Sequence, residues 1–220
     1  MPSSPRPASA LHRSLELIDE LTVLRMVAIK GRVSADIVAG SLGVEAPAVQ
    51  AELDAFTERE LVKSTPMGYG ITPAGRTRCT DLVDAEHRAT DQAAVAAIYQ
   101  NFCDHNKELK AVITDWQTRG PNRLNDHSDD DYDRAVLDRL LALHQEVLPL
   151  LDQIGEVATR LSHYKPRLQR AADAIAAGDH TYVSRPILDS YHTVWFELHE
   201  DLIGLAGLTR AGEAEAGRGA

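Results

Sequence analysis

The sequence predicts a mainly α-helical protein of two domains, and three observations lead there. Across residues 11–90 a helix, two short helices around a glycine turn, a hairpin and a further helix follow in order. From 91 to 208, apolar residues recur at helical spacing over long segments. At 220 residues, the chain is also long enough for two domains of ordinary size.

The first helix is read from Leu15 to Ile29, where Leu17, Ile18, Leu21, Leu24, Val27 and Ala28 form one stripe and Gly31 ends it. Ser34 is placed to cap a short second helix, SADIVAGSL, and Gly43 supplies the turn before Val44. A third helix accepts Pro47 in its first turn and buries Val49, Leu53 and Phe56. LVKSTP, Met67-Gly68 and YGITP then read as a β-hairpin, with Thr72-Pro73 starting the next helix. That order is the order of a winged helix-turn-helix domain with a small β-hairpin wing.

The segments SADIVAGSLGV, AVQAELDAFTERELV and GYGITPAGR resemble the corresponding parts of MarR-like winged helix transcriptional regulators. The Thr72-Pro73-Ala74-Gly75-Arg76 piece is the most specific part, because the wing of those regulators leads into a similar helix start. The likeness spans roughly a third of the chain and implies double-stranded DNA as partner; a homodimer is expected because one small recognition element gives little affinity, and a cytoplasmic location because the two thiols form no scaffold and the N-terminus has no apolar signal run. The third helix is then the recognition helix, presenting Glu45, Ala46, Ala48, Gln50, Ala51 and Asp54.

Charge works against the simplest version of that reading. The formal net charge of −10 repels a phosphate backbone at long range, so binding needs a local basic surface. Lys30, Arg32, Lys63, Arg76 and Arg78 are the candidates for phosphate contacts, with Ala48 and Gln50 as the groove-facing pair. Gln50 alone is suited to a base edge, while Glu45, Glu52 and Asp54 face phosphates unfavourably. The alternative is an adaptor or regulatory subunit in which the same fold makes protein contacts.

The second domain, 91–208, is read as an α-helical bundle for effector binding or dimerisation. Its helices are DQAAVAAIYQNFCDHNKELKAVITDWQTR, stopped by Gly120-Pro121, then one capped by Ser128 with Asp129 to Asp131 in its first turn and Pro149 as a possible kink. RLSHYKPRLQRAADAIAAGD follows, ending at Gly178, and the last helix starts near Ser184. The FCDHNKELKAVITDWQ and NDHS pieces also resemble actinobacterial proteins and extensions of phosphoenolpyruvate-utilising enzymes; that likeness assigns no catalytic role.

Polar residues interrupt the bundle's apolar stripes. His144 sits among leucines and valines, His192 and His199 share a face with Trp195, and Asn106 lies on the stripe of Phe102, Leu109, Ile113 and Trp116. If the stripes pack together, these groups converge on an effector pocket, with Arg119, Arg123, Asn125 and His127 at its mouth for an anionic ligand. The competing readings are core histidines with hydrogen-bonded neighbours and a metal site of His144, His192 and His199. No HExxH pair, P-loop, nucleophile elbow or GxGxxG follows a strand, so no metal, cofactor or catalytic residue is expected.

Cys79 and Cys103 are the only thiols and form no CxxC pair. No apolar run approaches a membrane span. Residues 1–10 read as a disordered leader and 209–220 as a disordered tail.

Overall fold

The structure is a computed structural model that describes residues 18–120, 123–215 and 217. The expected leader, the start of the first helix stripe at Leu15 and Leu17, and Pro121 lie outside the described residues. The chain is mainly helical with one small three-stranded antiparallel sheet, and it divides into two compact units between Arg88 and Ala89.

In the first unit, α1 (Glu20–Lys30) begins where Asp19 accepts a hydrogen bond from the Thr22 amide and ends at Gly31, whose φ of 83° suits glycine. A two-residue strand β1 (Arg32–Val33) follows, too short to leave a periodic signal in sequence. Ser34 caps α2 (Ala35–Leu42) through the Ile37 amide, and Gly43 closes it in the left-handed conformation. Then come α3 (Ala46–Glu58), β2 (Val62–Thr65), β3 (Gly68–Ile71) and α4 (Pro73–Ala89).

The strand order is β1-β3-β2, so the hairpin of β2 and β3 gains β1 at its edge. Val23, Leu24, Val27, Val38, Val49, Leu53 and Phe56 fill the core beneath it.

The TPAGR piece has a physical basis here. Thr72 Oγ1 accepts from the Gly75 amide at 3.0 Å and donates to the Glu60 carbonyl at 2.7 Å, which ties the start of α4 to the end of α3. Gly75 sits so close to this corner that a Cβ would stand 1.9 Å from the Leu61 carbonyl oxygen. Only glycine fits.

In the second unit, α5 (Gln92–Gln117), α6 (Asp130–Val157), α7 (Tyr164–Ala176) and α8 (Tyr191–Leu205) pack in a closed round, α5 on α6, α6 on α7, α7 on α8 and α8 on α5. A short 3-10 turn, Thr159–His163, precedes α7, and a second, His180–Tyr182, follows it. Phe102 stacks on Trp195 at 4.7 Å between ring centroids, in a core with Leu109, Leu140, Leu168 and Leu198.

Three expectations are corrected. Asp129, not Ser128, caps α6 through the Tyr132 amide, because Ser128 is already bound to Asp126 by its amide and hydroxyl. The last long helix starts at Tyr191 under a Ser190 cap, not near Ser184; Pro186 disfavours helix at Arg185, and Asp189 is held by Arg167. Residues 210–215 of the tail form a helix, α9 (Arg210–Glu215), docked by the buried Glu213. α6 runs on through Pro149.

Arg167 is fully enclosed and meets Asp189 twice at 2.9 Å and Glu197 at 2.6 Å. Arg160 and Tyr164 both reach Asp201. These buried charges are paired, as their desolvation requires.

Candidate functional site

The first unit presents a groove of about 450 Å³ between the N-terminal ends of α2 and α3 and the hairpin, with Ser34, Asp36, Gln50, Ser64 and Tyr69 among its walls. Both helices open toward it with their positive ends, and hydroxyls line the opposite side.

The predicted DNA-contact residues do not act together there. Gln50 Nε2 donates to Tyr69 Oη at 2.6 Å and to Asp54 at 2.8 Å, so its amide donors are engaged within the unit. Arg78 makes a bidentate pair with Glu20, 2.9 and 2.7 Å, which Arg59 joins at 2.7 Å. The hydrogen bond from Arg78 leads in holding the Glu20 carboxyl down to about 2 against the opposing effect of burial. Arg78 is therefore a structural residue, contrary to its expected phosphate role. Lys30 also has a partner within the protein.

Arg32, Lys63 and Arg76 are exposed and have no ion pair among the described residues. The sheet register sets both Arg32 and Lys63 opposite Gly70, so the two cations project from one sheet face across a residue with no side chain. Tyr69, its neighbour, points to the other face, toward Gln50. Ala48 is exposed on α3 beside Glu45, Pro47, Ala51 and Asp54. Ile37 and Met67, 51% and 67% exposed, add apolar surface to the unit.

In the helical unit the expected single pocket divides into two. The larger cavity, about 810 Å³, lies where the end of α5, the start of α6 and the 180–186 segment meet. Its centre is His127. Asp133, 8% exposed, holds His127 Nδ1 at 2.8 Å, and buried Asn125 donates to the same carboxylate at 2.7 Å while also reaching the Trp116 carbonyl.

Paired in this way, Nδ1 faces the carboxylate and Nε2 is the ring nitrogen left for another partner. His127 has φ of 55°, the left-handed region, and its ring packs on Trp116 at 4.3 Å between centroids. His180 meets the same indole edge-on at 5.8 Å. Arg134 and Arg185 complete the wall, and Arg185 has no ion pair among the described residues.

The two arginines expected at a pocket mouth are occupied elsewhere. Arg119 pairs with Asp129 at 2.7 Å and lies over the Tyr132 ring, and Arg123 is an exposed residue 3.8 Å from Asp126. Neither lines the cavity.

The smaller cavity, about 200 Å³, lies between α5 and α8 and brings together Asn106, His192, Trp195 and His199 with Phe196. Burial depresses the pKa of both histidines, that of His199 to about 4, so both are neutral at pH 7.

His144 belongs to neither cavity. Its Nε2 donates to Gln169 Oε1 at 3.1 Å and its Nδ1 accepts from Tyr191 Oη at 3.4 Å, a satisfied core histidine. The expected convergence of His144 with His192 and His199 fails because α6 turns this residue toward α7 and the start of α8. Elsewhere His105, Glu108 and Glu146 bring ligand atoms within 4.8 Å, but both carboxylates face solvent and nothing encloses an ion there.

Asp133, His180 and Arg185 were missed in sequence, being polar residues of an apparently solvated loop and helix start. The only sequence signal was the density of Asn, Asp and His from Asn125 to Asp133. Among known proteins, no family model, curated protein or solved structure matches the chain.

Proposed function

We propose that the protein is a ligand-responsive DNA-binding regulator. On this reading the first unit is a winged helix-turn-helix module for double-stranded DNA, and the helical unit binds a small-molecule effector in the cavity at His127. The observation that carries it is the buried Asn125 to Asp133 to His127 chain, which orients one imidazole toward an 810 Å³ cavity. A buried polar chain ending at a single exposed nitrogen, with its backbone in a rarely used conformation, fits a ligand contact better than a packing role.

For the DNA part, the support is the order of three helices and a three-stranded sheet, together with the groove at two helix N-termini. Phosphates would meet the amides of α2 and α3 at the groove, with Arg76 and, from the opposite sheet face, Arg32 and Lys63 reaching only flanking phosphates; this small set of contacts implies modest affinity and a dimer. The module binds as a homodimer in this proposal because one weak half-site is seldom sufficient.

The test is selection from a random duplex library at low salt, with and without a small-molecule extract. Recovery of a palindromic site whose occupancy responds to the extract, and loses that response in His127→Ala, is the expected outcome. An unenriched library would remove the DNA part and leave the ligand site to be tested alone.

A second reading, an adaptor acting through protein contacts, is favoured by one observation. The exposed surface of α3 is acidic and apolar, and Gln50, its one base-reading residue, is engaged with Asp54 and Tyr69.

A further inference from the structure

The docking of α9 on the helical unit rests on polar contacts alone. Its six residues, Arg210–Glu215, bury a single side chain, and that side chain is a carboxylate: Glu213 is 2% exposed, while Ala211, Gly212 and Ala214 face solvent. A segment that docks on a bundle normally does so by covering apolar surface, and a helix this short does not persist by itself in water. Here Tyr99 Oη on α5 donates to Glu213 at 2.5 Å, and on α8 Arg210 pairs with Glu200 and lies 4.6 Å over the Phe196 ring.

Of these ties the one from Tyr99 matters most. A carboxylate leaves water at a cost that its hydrogen bond must offset, whereas the Arg210 side chain is 42% exposed and its ion pair is weakened by solvent. Releasing α9 uncovers little apolar surface and returns both Glu213 and the Tyr99 hydroxyl to water, so no buried polar group is stranded. Segments with these properties open locally while the rest of a domain stays folded.

The ties also converge on one place. Phe196, beneath Arg210, lines the smaller cavity, and so does His199, whose Nε2 stands 3.3 Å from the Tyr99 oxygen that serves Glu213. The cavity lies between α5 and α8, and α9 is attached to those same two helices, by Glu213 to the first and by Arg210 to the second.

We propose that α9 is a latch on the α5–α8 cavity, with Glu213 as its catch. Docked, it ties the two helices together and keeps Phe196 and His199 in the cavity wall. Released, it lets that end of the cavity open to solvent while the bundle remains folded. The device is separate from the site at His127 and does not depend on DNA binding.

Hydrogen exchange and tryptophan quenching on the full chain at pH 7 test the proposal. In the docked helix the amides of Gly212 and Glu213 bond to Thr209. In Glu213→Ala the amides at these two positions should exchange roughly tenfold faster or more, while α6 and α7 keep their protection. Trp195 is 2% exposed in the cavity wall, and its quenching by acrylamide should rise about twofold, with a Trp116→Phe background assigning the signal. The unsubstituted chain supplies an arm that needs no variant: because opening uncovers little surface, exchange at Gly212 and Glu213 should not change with urea below the unfolding transition. Four results would overturn the proposal. They are unchanged exchange in Glu213→Ala, faster exchange with Trp195 as protected as before, loss of protection throughout α6 and α7 in that variant, and, in the unsubstituted chain, exchange at Gly212 and Glu213 that rises with urea in step with α6 and α7.

Discussion

The two units treat their polar side chains in opposite ways. In the first, the residues that looked most functional satisfy one another: Gln50 serves Tyr69 and Asp54, and Arg78 serves Glu20. In the second, two cavities hold histidines whose neighbours orient one nitrogen and leave the other without a partner. Polar groups that close on themselves hold a fold together, whereas a nitrogen oriented by its neighbours and left without a protein partner is what a binding site needs.

The sharpest way to separate the units is Gly75→Ala. A methyl group 1.9 Å from the Leu61 oxygen forces the backbone of the α3-to-β2 corner to move, and a loss of about 3 kcal/mol or more is expected. Both tryptophans, Trp116 and Trp195, lie in the helical unit, so far-ultraviolet dichroism should show an early transition that tryptophan fluorescence does not. A coincident shift in both signals would mean that the units do not unfold separately.

Acid separates them next. His199 has its pKa lowered from 6.5 to about 4, so the unfolded chain binds its proton first; stability is complete above pH 6.5 and falls as pH drops toward 4. His144 and His192 shift in the same direction through burial. The helical unit should lose about 3 kcal/mol from His199 alone across that window. Glu20 in the first unit, held at about 2, contributes stability above pH 4.5 that disappears only between 4.5 and 2. Denaturant titrations at pH 7, 5.5 and 4 should therefore weaken the fluorescence-monitored transition first, and the reverse order would refute the assignment.

Surface substitutions give the smallest effects and the finest distinction. Arg78→Ala should lower the melting temperature of the first unit slightly, since the pair is partly solvated. Lys63→Ala and Arg76→Ala should leave stability unchanged and each reduce the salt dependence of DNA binding by about one counterion. If Arg78→Ala changes the salt slope and not the melting temperature, the Glu20 pair is not what holds that residue.

Much of the fold was legible because its signals are local. Ser34 and Thr72 each act on an amide three residues ahead, and Gly31 and Gly43 stop helices by their own conformation; the first helix start was not legible, since Asp19 caps a helix beginning at Glu20 inside the expected Leu15–Ile29 helix. β1 was not legible, since two residues become a strand only by pairing with β3. The candidate site was half legible. Asn106, His192, Trp195 and His199 share two helix faces that do meet, whereas His144 required the rotation of α6, which stripe periodicity does not fix. The pairing of His127 with Asp133 depends on a loop conformation that side-chain type does not announce.

That loop conformation has its own lesson. At φ 55° a glycine would be more at ease than an imidazole-bearing residue, by roughly 1 kcal/mol. The fold tolerates this discomfort at one bend, and in return the ring lies against Trp116. Under the proposed reading, a ring so placed would narrow the range of shapes that fit beside it.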